Sequence, residues 1–382
     1  MENNVKMKNS FKIVCIMMAF FLYFGGSAEA ASQLQIKKPT YVYQSTTFQS
    51  KLIGNIQPQK VTIIKSKGDW KQVKYKENNK SKQGWIAPSG INKTFSKSFT
   101  VYNRPMIVDS KATKLAKGKY KVIGETLTNW LVIERKGKVY YTPASPLKVT
   151  LAADTDSYEE DLETINGTVK KGTYQVVSES KDRWIQIDVS GSKAWIDIKK
   201  AVKSNEEDTF ERAFEIIVKN FEGGCVNHPN DLGGSTNFGI TQKVYDEFLG
   251  EEGYDVCLIT DEEVRTIYYE VYYTNRFVNA NRMTSNLATV MLDTAINFGK
   301  GNADAIFQRA FRIDQKGATN WGQLTEYSFN MLSVSKENEL ARRILVERTR
   351  SRYNIIAKDP SQKVFLKGWL SRDEALKKIL KL

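Results

Sequence analysis

A chain of 382 residues, 41% hydrophobic and 26% charged, has the composition of a folded globular protein and is too long for one core, so two to four domains are expected. It carries 57 Lys and Arg against 43 Asp and Glu, a formal net charge of +14, with one histidine and three cysteines. The lone His228 excludes a histidine-rich zinc site and argues against a Ser-His-Asp triad, and no G-x-x-x-x-G-K-[ST] phosphate loop is present.

Residues 1–30 read as a secretory signal peptide. Lys6, Lys8 and Lys12 form the positive end, Ile13 to Phe24 the apolar core, and Ala28-Glu29-Ala30 the cleavage site. The apolar core is too short for a stable span, so cleavage after Ala30, secretion and association with the cell wall are expected, without membrane insertion of the mature chain. Cys15 lies inside that core and not at a lipoprotein cleavage position. The segment contributes +1, so the mature chain keeps about +13 of the +14. Such a charge suits a polyanionic partner such as teichoic acid, or a merely solubilising surface. Export and the lack of a K/R-G-F-x-F stacking module argue against nucleic acid. Of the cysteines left, Cys225 and Cys257 are open to two readings, a disulfide or packed thiols.

Residues 32 to about 203 repeat one β-rich pattern three times. Val61–Tyr75, Tyr120–Arg135 and Tyr174–Val189 each run as an apolar strand, a polar turn, a tryptophan and an alternating strand. The tryptophans are Trp70, Trp130 and Trp184, and Trp85, Tyr140-Tyr141 and Trp195 follow ten to fifteen residues later. Units of this length suggest three small barrels in an array, at 32–92, 96–148 and 149–203. The pattern resembles bacterial SH3-like domains, whose G-W-[IV] end is matched by Trp85-Ile86 and Trp195-Ile196; the resemblance implies binding to the cell wall. Trp70, Trp130 and Trp184 are expected to fill barrel cores, and tyrosines such as Tyr41 and Tyr43 to serve any ligand groove.

A polar linker, Lys203 to Glu207, precedes a change of period from two to 3.6. Phe210, Ala213, Phe214, Ile217, Val218 and Phe221 make one face of a helix, with Asp208 and Glu211 in capping-box register. A second helix starts at Thr241. A third has a Thr260–Glu263 capping box and turns Val264, Ile267, Tyr268, Val271 and Tyr272 inward. Half of the tyrosine stripe Tyr268, Tyr269, Tyr272, Tyr273 is expected in the core. Asn286 caps a buried helix that Gly299 stops, and further helices fall near 302–312, 324–333, 336–357 and 371–381. The fold class is therefore multidomain, with three β-barrels followed by a mostly α domain over 207–382.

The stretch joining the first two helices, Phe221 to Ile240, carries the chemistry. Glu222 sits at the end of the first helix, where the dipole disfavours an ionised carboxylate, and poor solvation adds to this. A carboxyl kept protonated near neutral pH is suited to protonate a leaving oxygen. Asp231, in a polar glycine-rich loop, stays ionised. Two carboxylates in unlike settings are the minimum equipment for glycosidic cleavage.

Glu222-Gly223-Gly224, Asn227, Pro229, Asp231, Gly233-Gly234, Thr236 and Gly239-Ile240-Thr241 together resemble the signature of the glycoside hydrolase family 108 muramidases. Leu292 to Phe311 and Phe365 to Arg372 resemble the peptidoglycan-binding half found with that family. The resemblance implies a lysozyme-like fold with a catalytic half at 207–285 and a peptidoglycan-binding half at 286–375. It implies Glu222 as the catalytic acid, and the order Glu222, Asp231, Thr236 is similar to the trio of phage T4-type lysozymes. Cys225, His228 and Leu232 depart from the pattern without removing a group that the chemistry needs. Gly223, Gly224, Asn227, Gly233, Gly234, Asn237 and Tyr245 are expected to bind substrate. The expected reaction is hydrolysis of the β-1,4 bond between N-acetylmuramic acid and N-acetylglucosamine in peptidoglycan, by a monomer without a cofactor. A lytic transglycosylase and a non-catalytic wall-binding protein are the alternatives.

Overall fold

The computed structural model describes residues 32–77, 80–105, 111–151, 153–179, 184–197, 209–228, 233–274, 283–311 and 334–382. The signal peptide, the linker with its Asp208 cap, Asp231 and the helix expected near 324–333 lie outside them.

The described N-terminal part contains three six-stranded antiparallel sheets of one topology. In the first, the strands are Gln33–Ile36, Thr40–Tyr43, Leu52–Ile56, Gln59–Lys67, Trp70–Glu77 and Lys80–Ile86. Their order across the sheet is first, fourth, fifth, sixth, second, third, and the other two sheets repeat it. Each tryptophan of the sequence repeat opens the fifth strand. The register is conserved in detail. The fourth strand bulges at Ile63/Lys65, Val122/Gly124 and Val176/Ser178, and such a bulge sharpens the bend that a small barrel needs. The second strand meets the sixth at Tyr43–Trp85, Tyr102–Tyr141 and Tyr158–Trp195. Tyr141 thus takes the place of the missing tryptophan in the second repeat. The second sheet takes Ile91–Phe95 as its first strand, earlier than the expected boundary at 96, because the polar Asn92, Lys93 and Thr94 obscure its alternation.

Each tryptophan packs edge-to-face on a tyrosine of its own sheet: Tyr43–Trp70 at 5.5 Å, Tyr102–Trp130 at 5.6 Å and Tyr158–Trp184 at 4.8 Å between ring centroids. Trp184 is only half-buried, contrary to expectation, whereas Trp70 and Trp130 are buried and do more than fill one barrel. Trp70 shares an apolar cluster with Val101, Leu115 and Val122 of the second sheet. Trp130 shares one with Leu147, Val149 and Leu151 of the third. Repeats therefore bury their apolar ends against their neighbours, as stacked modules must.

The C-terminal part is helical. Helix α1 is Thr209–Phe221, α2 Gln242–Leu249, α3 Asp261–Ile267, α4 Ser285–Phe311, α5 Val334–Lys358 and α6 Leu366–Ile379. Thr241 caps α2 by accepting from the Val244 amide, and Gly250 closes it with φ 75°. The Thr260–Glu263 capping box opens α3, which widens into a π-helix over Tyr268–Thr274. Tyr268, Tyr272 and Tyr273 are core, while Tyr269 is exposed. Gly299, at φ 67° and ψ 170°, breaks α4 into the two helices expected from sequence. Asn286 is not the cap of α4, which begins at Ser285; its amide donates to Asn338 and the Leu380 carbonyl.

One face of α5 docks on the first repeat. Lys336 donates to Gln49 at 2.8 Å, Glu339 accepts from the Leu52 amide at 3.1 Å, and Arg343 donates to the Phe48 carbonyl at 3.3 Å. Tyr41 donates its hydroxyl to Glu347. The spacing of these α5 residues is one helix face. This corrects the expectation for the two tyrosines. Tyr43 is 2% exposed, and Tyr41 is engaged with the helix, so neither lines an open groove. Sequence periodicity shows that a residue faces inward or outward, not which other domain covers it.

Candidate active site

Glu222 stands one residue beyond α1. The chain then turns through Gly223 and Gly224 and returns as a hairpin, Thr236–Asn237 paired with Ile240–Thr241. The two-residue turn, Phe238-Gly239, has positive φ at both positions, 47° and 75°. That is the backbone of a tight hairpin turn, and glycine at its second position is the usual solution. Here glycine is also required for space. A Cβ on Gly239 would lie 2.9 Å from Glu222 Oε2 and 2.8 Å from Ile296 Cγ2. The hairpin turn therefore rests directly on the Glu222 carboxyl. The Phe238 amide donates to the Gly223 carbonyl at 3.2 Å, and Tyr268 donates to the Phe238 carbonyl at 2.8 Å, which fixes the turn.

Only 9% of the Glu222 side chain is accessible. Arg372 of α6 donates to Glu222 Oε1 at 2.5 Å and to Asp293 Oδ1 of α4 at the same distance, and its guanidinium lies 4.8 Å above the Phe221 ring. Asp293 is fully buried and also accepts from Arg348 at 2.5 Å. Asp373 continues the chain of charges to Arg348 and Arg352. Buried charges are tolerable only when paired in this way.

The two carboxyls sharing Arg372 have opposite fates. Burial resists ionisation of Asp293, but Arg348 and Arg372 outweigh it and hold its carboxyl below the usual range. Burial likewise raises Glu222; Arg372 opposes that shift, and Asp293 adds to it. The net shift of Glu222 is upward. Arg372 is shared with Asp293, so of the two carboxyls Glu222 is the easier to protonate. This is the acid and base separation that glycosidic chemistry uses.

The other sequence-derived residues fall in three groups. Thr236 pairs with Val226 through two backbone hydrogen bonds of 2.9 Å, and its hydroxyl donates to the Gly234 carbonyl at 3.0 Å. It thereby braces the loop that leaves Glu222. Gly223, Gly224 and Asn227 are exposed on that loop, and Gly233 and Gly234, the latter at φ 69°, lead into the hairpin. Asn237 and Tyr245 are turned to the framework: Asn237 donates to the Val256 and Cys257 carbonyls, and Tyr245 donates to Glu263 at 3.0 Å. Cys225 and Cys257 form a disulfide, which ties the same loop to the short helix Val256–Leu258.

Sequence reasoning assigned no role to Asp293 and Arg372. A carboxylate inside the apolar run Leu287 to Phe298 was a usable signal, since a buried charge demands a partner. Arg372, 150 residues from Glu222, closes the Phe365 to Arg372 motif, but nothing in the sequence tied it to Glu222.

Residues 214–299, which hold Glu222, the hairpin and Asp293, match the family model described as Glycosyl hydrolase 108. Among solved structures, Brucella abortus SagA is similar to the chain at 27% identity, over 45% of this chain and 93% of that one, with a TM-score of 0.36. No curated protein matches the chain.

Proposed function

We propose that the protein hydrolyses the β-1,4 bond between N-acetylmuramic acid and N-acetylglucosamine, with Glu222 protonating the bridging oxygen. The observation that carries this reading is a nearly buried carboxyl, raised in pKa, held between Arg372 and the Gly239 turn. Asp231 and Thr236 orient the attacking water and oppose the positive charge that develops on the sugar ring. Direct attack by water would need the two carboxyls about 6.5–9.5 Å apart and would invert the anomeric centre, whereas a gap of about 5 Å would favour a covalent intermediate. The three β repeats act as SH3-like wall-binding modules of a secreted chain, and its excess of positive charge favours teichoic acids.

The test is reducing-end analysis of purified peptidoglycan treated with wild-type protein and with Glu222→Gln. Wild type should release reducing ends at N-acetylmuramic acid, and the variant should lose about 10²–10⁴-fold in rate, the range of a general acid. Products lighter by one water would replace hydrolysis with transglycosylation. Undiminished clearing by Glu222→Gln would remove Glu222 from its role.

A further inference from the structure

The first β repeat is packed on the two helices that hold the acid in place. Its third strand, Leu52–Ile56, lies against α5, and Val346 of α5 belongs to the apolar cluster of Trp70. Glu347 follows. It is buried, accepts from Tyr41 of the repeat, and accepts from Arg309 of α4 at 2.7 Å. Arg348, the next residue, turns the other way and donates to Asp293 at 2.5 Å. Consecutive helical residues point about 100° apart, so a single turn of α5 meets the repeat on one side and the ion network on the other.

The repeat also reaches α6. Ile53, Gly54 and Asn55 line one side of a gap of about 30 Å³, and Asp373, Glu374 and Lys377 line the other. That is the room of about one water molecule. Asn55 is 3% exposed, and neither its amide nitrogen nor its oxygen has a hydrogen-bond partner among the described residues. Asp373 Oδ1 likewise lacks an aligned donor, although Arg348 Nη2 stands 2.9 Å away. A buried amide of this kind calls for a partner, and the polar groups it faces are those of α6. Charge crosses the same junction. Burial resists ionisation of Glu374, but Lys377 and then Lys82 and Lys80 of the repeat hold its carboxyl below the usual range.

We infer that the first repeat is a positioning element of the catalytic site, in which Tyr41 and Asn55 hold α5 and α6 at the spacing that keeps Arg372 on Glu222. The inference rests on the glycosidase reading above. Arg372 and Asp373 are neighbours on α6, so a shift of that helix moves both. Arg348 joins Asp373 to Asp293, and Asp293 shares Arg372 with Glu222. The path from the repeat to the acid is thus a chain of direct contacts. A buried ion network has few alternative arrangements, because each displaced member leaves a charge uncompensated. Among the described residues, Arg372 from α6, Asp293 from α4 and Tyr268 from the π-helix face Glu222. Of these, Arg372 is the one that favours its ionised form. A repeat that releases α5 and α6 therefore lets Glu222 keep its proton to higher pH.

The test uses the full chain with carbon-13-labelled glutamate, and soluble peptidoglycan fragments, so that wall attachment plays no part. Tyr41→Phe removes one hydroxyl from Glu347, and Asn55→Ala removes the amide that faces Asp373. Carboxyl NMR of the double variant should show a higher pKa for Glu222, its signal assigned by its loss in Glu222→Gln. The double variant should lose up to about a hundredfold in kcat with KM little changed, the cost of a small misplacement at the reacting bond. In an Arg372→Met background the same two substitutions should leave the Glu222 pKa where Arg372→Met alone puts it. Unchanged pKa and kcat in a folded double variant would overturn the positioning role and leave the hydrolase reading intact. Should the double variant not fold, Tyr41→Phe alone decides by the same readouts. An equal rise of pKa in the Arg372→Met background would also overturn the role, since the repeat would not then act through Arg372. A raised pKa in a protein whose wild type cleaves nothing would keep the positioning role and remove the catalytic reading.

Discussion

The β array buries mostly apolar side chains, whereas the helical half buries an ion network beside its apolar core. The sheets bury apolar residues and repeat one Tyr–Trp contact three times in register. The helical half buries Asp293, Arg348, Arg352 and Asp373, with Glu222 and Arg372 at the edge of the same network. The difference concerns how each core fails. An apolar core that loses one ring can relax around the gap, whereas a desolvated ion network that loses one member leaves its partners uncompensated.

Asp293→Ala is the strongest way to probe this contrast. It strands Arg348 and frees Arg372 from its shared partner, and should cost about 3–5 kcal/mol. Urea denaturation measures the loss, and wall clearing should fall with it. Trp130→Ala, at 0% exposure, should cost about 3 kcal/mol or somewhat more by opening the junction of the second and third repeats. Cleavage of soluble fragments should then stay within about twofold of wild type, because the apolar cluster around Trp130 contains no residue of the helical half. Coupled loss of cleavage would show that the two halves do not fail separately.

Cys225→Ser should destabilise by about 2–4 kcal/mol through loss of a cross-link that closes a 32-residue separation. Thermal melting reads this effect, and because the loop beside Glu222 is released, activity should fall more than in Trp130→Ala. The smallest effect is in pH dependence. A general acid works protonated, so activity falls as pH rises through the pKa of Glu222, which lies above the ordinary carboxylate value. Arg372→Met removes the cation that favours the ionised form. The pKa should rise further, and the alkaline limb of the rate profile should move to higher pH. A limb moving to lower pH would mean that Arg372 does not oppose protonation of Glu222.

Much of the fold was legible because it is local. Strand-turn-Trp patterns, the Thr260–Glu263 box, the Thr241 cap and the break at Gly299 each depend on neighbours within a few residues. The same locality placed Glu222 at the close of a helix. Tertiary structure decided the rest. It spent Tyr41 on Glu347, and turned Tyr245 and Asn237 to the framework. It also brought Asp293 and Arg372 to the acid from positions 71 and 150 residues away. Sequence alone therefore determined which groups were available and which helix end carried the acid. Long-range packing determined which of those groups meet in a nearly closed space, and so which carboxyl is the easier to protonate.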